Sequence, residues 1–232
     1  VLRRWLVTEK VDGTNVRISL EQTVADLDGR ATAKSMGLPD EWVDENLGEW
    51  RVAFYGRTAA TQMPTFLLDH LQRAFTLERM KALWRGPGEA EYPIVLYGEG
   101  YGARIQKGGG NYRRDGDVSF RLFDVLVGET WLSRANVEDM ARQLGIAAVP
   151  LLTHGDVLKR LGEMRFNPDG APLEFLDLIV SGVKTGIVSR VSAEEGILET
   201  MAEGAVAFTD PPLFNGRGKR LMWKLKTSDF SR

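Results

Sequence analysis

What most constrains this chain is an excess of short strand-like runs that do not alternate regularly with helical ones. Alternating or compact apolar runs predict strands near residues 4–8, 15–21, 51–55, 94–98, 118–127, 186–191, 204–209 and 220–226. Helical spacing is rarer. Phe66, Leu67, Leu71, Phe75 and Met80 form an apolar stripe over 65–84. Val137, Met140 and Leu144 form another, between Ser133 as N-cap and Gly145 as C-terminal cap. Weaker helical spacing runs over 155–164 and 172–181. A doubly wound parallel sheet needs a crossover helix between successive strands. The expected class is therefore α+β, with largely antiparallel sheets flanked by helices. Residues 22–50 read as an irregular acidic insertion, and Gly108-Gly109-Gly110 as a mobile loop. With no repeat and no linker, residues 1–232 read as a single domain that leaves no room for an additional C-terminal domain.

Composition narrows the setting. No run approaches the roughly 18 consecutive apolar residues of a membrane helix, no signal peptide is visible, and a cytoplasmic protein is expected. The absence of cysteine excludes disulfides and cysteine-ligated zinc. His70 and His154 are too few and too far apart for a histidine metal site. A net charge of −2 is not that of a strongly basic nucleic-acid binder. Yet Arg217, Lys219, Arg220, Lys224 and Lys226 fall within ten residues. Any contact with nucleic acid must therefore be local.

The most informative stretch is Thr8-Glu9-Lys10-Val11-Asp12-Gly13-Thr14-Asn15. A lysine closes one strand, Asp-Gly turns the chain, and a second strand begins at once. Alone, this fits a surface lysine before a tight turn equally well. Near the other end, Lys224 and Lys226 stand one residue apart in a strand and so share a face, as two lysines serving one phosphate site require. A solvated basic strand edge would look the same. Glu99 and Glu203 each adjoin a glycine, which permits close approach of backbone or ligand, although turn carboxylates share that property.

Taken together, these stretches resemble the motifs of the covalent nucleotidyltransferase superfamily of DNA ligases, RNA ligases and mRNA capping enzymes. Tyr55-Gly56-Arg57-Thr58, Leu96-Tyr97-Gly98-Glu99-Gly100, Phe120-Arg121-Leu122-Phe123-Asp124-Val125, Glu203-Gly204-Ala205-Val206 and Trp223-Lys224-Leu225-Lys226 follow the lysine motif in the superfamily's order. The resemblance spans residues 8–227. Glu9-Lys10 with Gly13-Thr14-Asn15, and Gly98 to Gly102 with Ile105-Gln106, are most similar to the ATP-dependent RNA ligases. DNA ligases usually place an arginine soon after the glycine.

The resemblance implies a nucleotidyltransferase (adenylyltransferase) domain and an RNA ligase using ATP and Mg²⁺ or Mn²⁺. AMP would be attached covalently to Lys10, with Lys224 and Lys226 as further catalytic residues. Glu9, Asn15, Arg57, Glu99, Phe123 and Glu203 would bind the nucleotide. Glu99 would face the ribose, Glu203 the metal, and Phe123 the adenine. Lys34-Ser35 is an alternative to Arg57, and Phe120 to Phe123. The implied partners are RNA ends or a nicked RNA duplex, as in RNA repair. A small DNA ligase, a capping guanylyltransferase preferring GTP and a nucleotide-binding module without ligase activity are the rival readings. The chemistry is coherent with the residues. A lysine amine ionises near 10.4 and is protonated at neutral pH. Burial or neighbouring positive charge must lower that value before it attacks. Lys224, Lys226, Arg57 and a metal ion would supply such charge, and would also neutralise the phosphates.

Overall fold

The computed structural model describes residues 4–24, 30–58, 62–83, 92–106, 110–113, 116–152 and 175–230. Its strands are β1 (Arg4–Lys10), β2 (Thr14–Val24), β3 (Leu47–Tyr55), β4 (Ile94–Gly102), β5 (Val118–Val127), β6 (Thr130–Trp131), β7 (Ala147–Ala148), β8 (Gly204–Asp210) and β9 (Met222–Lys226). Its helices are α1 (Arg30–Ser35), α2 (Asp40–Glu45), α3 (Thr65–Ala74), α4 (Leu77–Lys81), α5 (Arg134–Gln143), α6 (Phe175–Thr185) and α7 (Arg190–Glu194). The α+β class holds. The chain divides into two compact units: Val1–Thr14 with Glu99–Arg121 and Ala148–Arg232, and Asn15–Gly98 with Leu122–Ala147.

The first unit is built on an antiparallel sheet in the order β1-β8-β9. Because side chains alternate along a strand, one face of this sheet is apolar. Val7, Ala205 and Ala207 lie on that face, buried against Ile179 and Val183 of α6 together with Ile187, Ala202 and Leu152. Trp223 and Leu225 of β9 pack on the same cluster. Ile179 and Val183 are four residues apart, one above the other on the helix. Each fully buried aliphatic side chain contributes about 1.5–3 kcal/mol. The residues between them, Thr8, Lys10, Lys224 and Lys226, are left for the opposite face.

The second unit carries most of a larger sheet, in the order β3-β2-β4-β5-β6 with β7 beside β5. Val16, Ile18 and Leu20 alternate into its core, as do Ile94 and Leu96. Between β2 and β3 the register sets Glu21 opposite Arg51, and the pair closes to 3.0 Å. Tyr55 donates its hydroxyl to the same carboxylate at 2.9 Å.

Three expectations need correction. The described residues of 22–50 are not irregular: β2 runs to Val24, α1 and α2 occupy Arg30–Ser35 and Asp40–Glu45, and β3 starts at Leu47. Val24, Ala33 and Val43 form a small core with Leu38 and Leu47. Helices of six residues carry too few apolar positions to show a period. The 65–84 stripe is two helices, because Thr76 accepts the Arg79 amide at 3.3 Å and caps a new start. The strand expected over 186–191 is a single bridge, Val188 to Met201, followed by α7. There Ser189 Oγ accepts the Ser192 amide at 3.0 Å and turns the chain into a helix. The helical signal over 155–164 lies outside the described residues, as do Gly108 and Gly109. No described helix is long and apolar enough to cross a membrane.

Candidate active site

Strand register assembles the site in the first unit. Lys10 pairs with Gly204, and Gly204 with Lys226, so the three form one row across β1, β8 and β9. The next row on the same face is Thr8, Val206 and Lys224. A residue with a side chain cannot occupy the middle of the first row. A Cβ at Gly204 would meet the Leu225 carbonyl oxygen at 1.9 Å and Lys226 Cα at 2.8 Å. The two amines are thereby free to converge across a glycine.

They converge on Glu203. Its amide donates to the Lys10 carbonyl at 3.1 Å, and its carbonyl accepts from the Thr227 amide at 3.0 Å, so its backbone is pinned between the two outer strands. Its carboxylate accepts from Lys10 Nζ on one oxygen and from Lys226 Nζ, at 2.6 Å, on the other. Burial pushes the Glu203 carboxyl up, but hydrogen bonds from the two lysines outweigh it and hold the group below its ordinary range. The Glu203 hydrogen bond in turn raises Lys226. One carboxylate does not neutralise two ammonium groups, so the row keeps a net positive charge suited to an anion.

Glu99, near the end of β4, stands in a different condition. Burial pushes its carboxyl up to about 7, with Lys10 and Lys224 opposing and Glu203 and Asp12 adding to the rise. The Asp12-Gly13 turn rests directly on this strand. A Cβ at Gly13 would meet the Gly100 carbonyl oxygen at 2.4 Å and Glu99 Cγ at 2.8 Å. The Asp12 amide donates to the Tyr112 hydroxyl at 3.3 Å. The Glu99 value carries a prediction for the protein without nucleotide. The folded carboxyl titrates about 7 against 4.5 unfolded, so between these values the folded state binds the extra proton. Its stabilising contribution is complete below about 4.5 and is lost as pH rises through 7. The loss approaches about 3 kcal/mol. Urea unfolding between about pH 5 and pH 8 should show that decline, and Glu99→Gln should flatten it. Equal slopes in the two proteins would refute the assignment.

Glu9 stands apart from that row. Alternation along β1 points it away from Lys10, to the core side of the sheet. There its buried carboxylate accepts from the Ser189 hydroxyl, the Arg190 amide at 2.8 Å and the Val191 amide at 3.1 Å. Burial raises its carboxyl while these bonds oppose the rise. Both oxygens accept hydrogen bonds at the start of α7, which ties β1 to that helix. Beyond α7, the buried Arg121 donates to the Tyr101 hydroxyl at 3.2 Å and pairs with Glu194, while Tyr101 donates to Glu195 at 2.6 Å. None of Ser189, Tyr101, Tyr112 and Arg121 was singled out from the sequence as a site residue. The side-chain hydrogen bonds that tie them to Glu9, Asp12, one another and the end of α7 span 20 to 180 residues, and no local pattern marks them.

The remaining expected residues belong to the second unit, at the following places. Asn15 is half-buried at the start of β2. Arg57 is exposed just after β3, and Arg17 donates to the Gly56 carbonyl at 3.3 Å with its guanidinium 5.5 Å from the Tyr55 ring centre. Phe123 is half-buried on β5, whereas Phe120, in the first unit, is 5% exposed and part of the core. Lys34 sits on α1 and pairs with Asp40 at 3.5 Å. Among the described residues, no three histidine, aspartate or glutamate side chains gather as a metal site.

Among curated proteins, none matches the sequence. Among solved structures, a lysine-to-methionine mutant of the Naegleria gruberi RNA ligase with AMP and Mn superposes with a TM-score of 0.54 at 15% identity, covering 97% of this chain and 50% of that one. An aspartate-to-alanine mutant of the same ligase, without ligand, gives 0.53 at 15% identity, covering 98% and 50%. An archaeal ATP-dependent RNA ligase gives 0.52 at 17% identity, covering 99% and 44%. This chain thus spans about half the length of those proteins or less, and at such identities the likeness is one of fold. The sequence model of the RNA ligase family matches residues 3–211. With nearly the whole chain inside that match, the protein belongs to the RNA ligase family.

Proposed function

We propose that this chain is the nucleotidyltransferase part of an ATP-dependent RNA ligase. The row Lys10, Gly204, Lys226, closed by Glu203, carries the proposal. It sets two lysine amines on either side of a glycine, both drawn to one carboxylate. Lys10 Nζ, having given up a proton to solvent, attacks the α-phosphorus of ATP. An N–P bond forms, the bond to the bridging oxygen breaks, and pyrophosphate leaves. The AMP then passes from Lys10 to a 5′-phosphate at an RNA end. A 3′-hydroxyl attacks that activated phosphate, the strands join, and AMP departs.

Each residue has a physical task in this sequence. Lys226 and Lys224, on the face of Lys10, offset the negative charge that grows on the α-phosphate during attack. Glu99 accepts from a ribose hydroxyl, and Phe123 presents a ring to the adenine. Arg57 and Asn15 contact the nucleotide. Glu203 offers hard carboxylate oxygen, and Mg²⁺ or Mn²⁺ held by one carboxylate together with substrate phosphates matches this donor set. A divalent ion there supplies Lewis-acid charge at the phosphate. The same carboxylate orients Lys10 and Lys226.

The substrate is proposed to be RNA ends or a nicked RNA duplex. The 2′-hydroxyl is the group by which a protein separates RNA from DNA. Sealing should be compared on otherwise identical nicks carrying RNA or DNA on the 3′-hydroxyl side, with ATP and Mg²⁺ or Mn²⁺. Faster joining of the RNA-sided nick is expected. Equal or faster sealing of the all-DNA nick would move the protein to the DNA-ligase branch.

A further inference from the structure

Between β8 and β9 the chain makes an excursion that the sheet itself does not require. Residues 213–221 form a tight hairpin: the Leu221 amide donates to the Leu213 carbonyl at 2.7 Å, and the Asn215 amide to the Lys219 carbonyl at 2.8 Å. Phe214 bridges to Arg220. At the tip, the Asn215 side-chain oxygen accepts from the Arg217 amide at 2.9 Å and the Lys219 amide at 3.0 Å. Gly218 takes a φ of 70°, in the left-handed region that favours glycine. The tip is therefore fixed by its own backbone and by one asparagine.

Its surface is unusual for this chain. From Pro211 to Ser228 there are five basic residues and no acidic one, in a protein whose net charge is −2. Arg217 and Lys219 are exposed. So are Phe214, Leu221 and Met222, at 48%, 37% and 42%. A hairpin with hydrogen bonds of its own thus keeps half of an aromatic ring and the side chains of Arg217 and Lys219 in water. A polynucleotide strand uses both, through phosphates on the cations and a base on the ring. The hairpin also leads into the site. Met222, Lys224 and Lys226 alternate onto one exposed face of β9. At the rise of an extended strand, the Arg220 backbone lies roughly 13 Å from that of Lys224.

We infer that residues 213–221 are a binding site for the RNA strand next to the end being joined. Arg217, Lys219 and Arg220 contact its phosphates, and an unpaired base stacks on Phe214. This deepens the ligase reading and rests on it for the identity of the strand.

The test is fluorescence anisotropy of a labelled single-stranded RNA with a 5′-phosphate, without ATP, across a salt series. Binding by Arg217→Gln/Lys219→Gln/Arg220→Gln should weaken tenfold or more, and the slope of log K against log salt should fall by about 2, at roughly 0.7 per lost phosphate contact. Phe214→Ala should weaken binding roughly fivefold or more without changing the slope. Asn215→Asp keeps the oxygen that fixes the turn and adds a negative charge at the tip. It should weaken binding with an unchanged melting temperature, so a misfolded triple variant would not leave the question open. Unchanged affinity and slope in the triple variant and in Asn215→Asp would overturn the inference. So would a parent protein that binds polyglutamate as tightly as RNA, because the hairpin would then be a surface for acidic proteins. RNA binding that depends on the hairpin, in a protein that forms no AMP adduct, would refute the ligase reading and leave the site standing.

Discussion

Incubated with ATP and Mg²⁺ or Mn²⁺, the protein should acquire one covalently bound AMP, and Lys10→Ala should acquire none. The expectation follows from where Lys10 stands. It closes β1, opposite Gly204 and in one row with Lys226, while the Asp12-Gly13 turn packs its backbone onto the end of β4. Lys224 stands in the neighbouring row, and Lys10 and Lys226 share the Glu203 carboxylate, one on each oxygen. Lys10, beside the Asp-Gly turn of the lysine motif, is the proposed attacking amine and the other two the proposed fixed charge. Labelled ATP followed by denaturing electrophoresis reads the result directly, and a phosphoramidate should survive alkali and break down in acid. GTP in a parallel lane should label far less, which separates a ligase from a capping guanylyltransferase. An adduct that persists in Lys10→Ala would sink the assignment. A nucleotide-binding module without ligase activity would bind ATP and show no adduct in either protein.

Lys226→Ala and Glu203→Ala should each slow adduct formation by roughly a hundredfold or more. This corresponds to losing one preorganised contact to developing charge, about 2.7–4 kcal/mol. The two substitutions act on one arrangement from opposite sides. Without Lys226, the row loses the cation proposed to face the phosphate. Without Glu203, the two amines lose the carboxylate that holds them across Gly204, and the proposed phosphate site loses its hard oxygen donor. Groups that share partners do not contribute additively. The double variant should therefore be slower than either single one by much less than the product of their effects. Rapid-quench measurement of adduct formation gives all three rates, and a near-normal rate in either single variant would remove that residue from the phosphate site.

Much of this site could be read along the chain because its residues sit at strand ends beside glycines, where local rules are strong. Asp12-Gly13 announced a turn, Glu203-Gly204 a strand start, and the spacing of Lys224 and Lys226 a shared face. The chain also showed its class, since strand-like runs without regular helical alternation admit few architectures other than α+β. The helices α1 and α2 could not be read, because six-residue helices held by Val24, Ala33 and Val43 leave no period. The start of α7 was hidden by the β-branched residues around it and by a cap whose other partner, Glu9, lies 180 residues earlier.

By itself, then, the sequence determined which residues are present and which neighbours along a strand share a face, because a pleated strand alternates whatever surrounds it. Only the tertiary structure decided which strands lie side by side and in what register. A shift of one residue between β1 and β8 would turn every facing side chain over. The observed register is held by the burial of Val7, Ala205 and Ala207 under α6. That packing, and not any local pattern, sets Lys10 and Lys226 on either side of Gly204 and sends Glu9, its immediate neighbour, into the core.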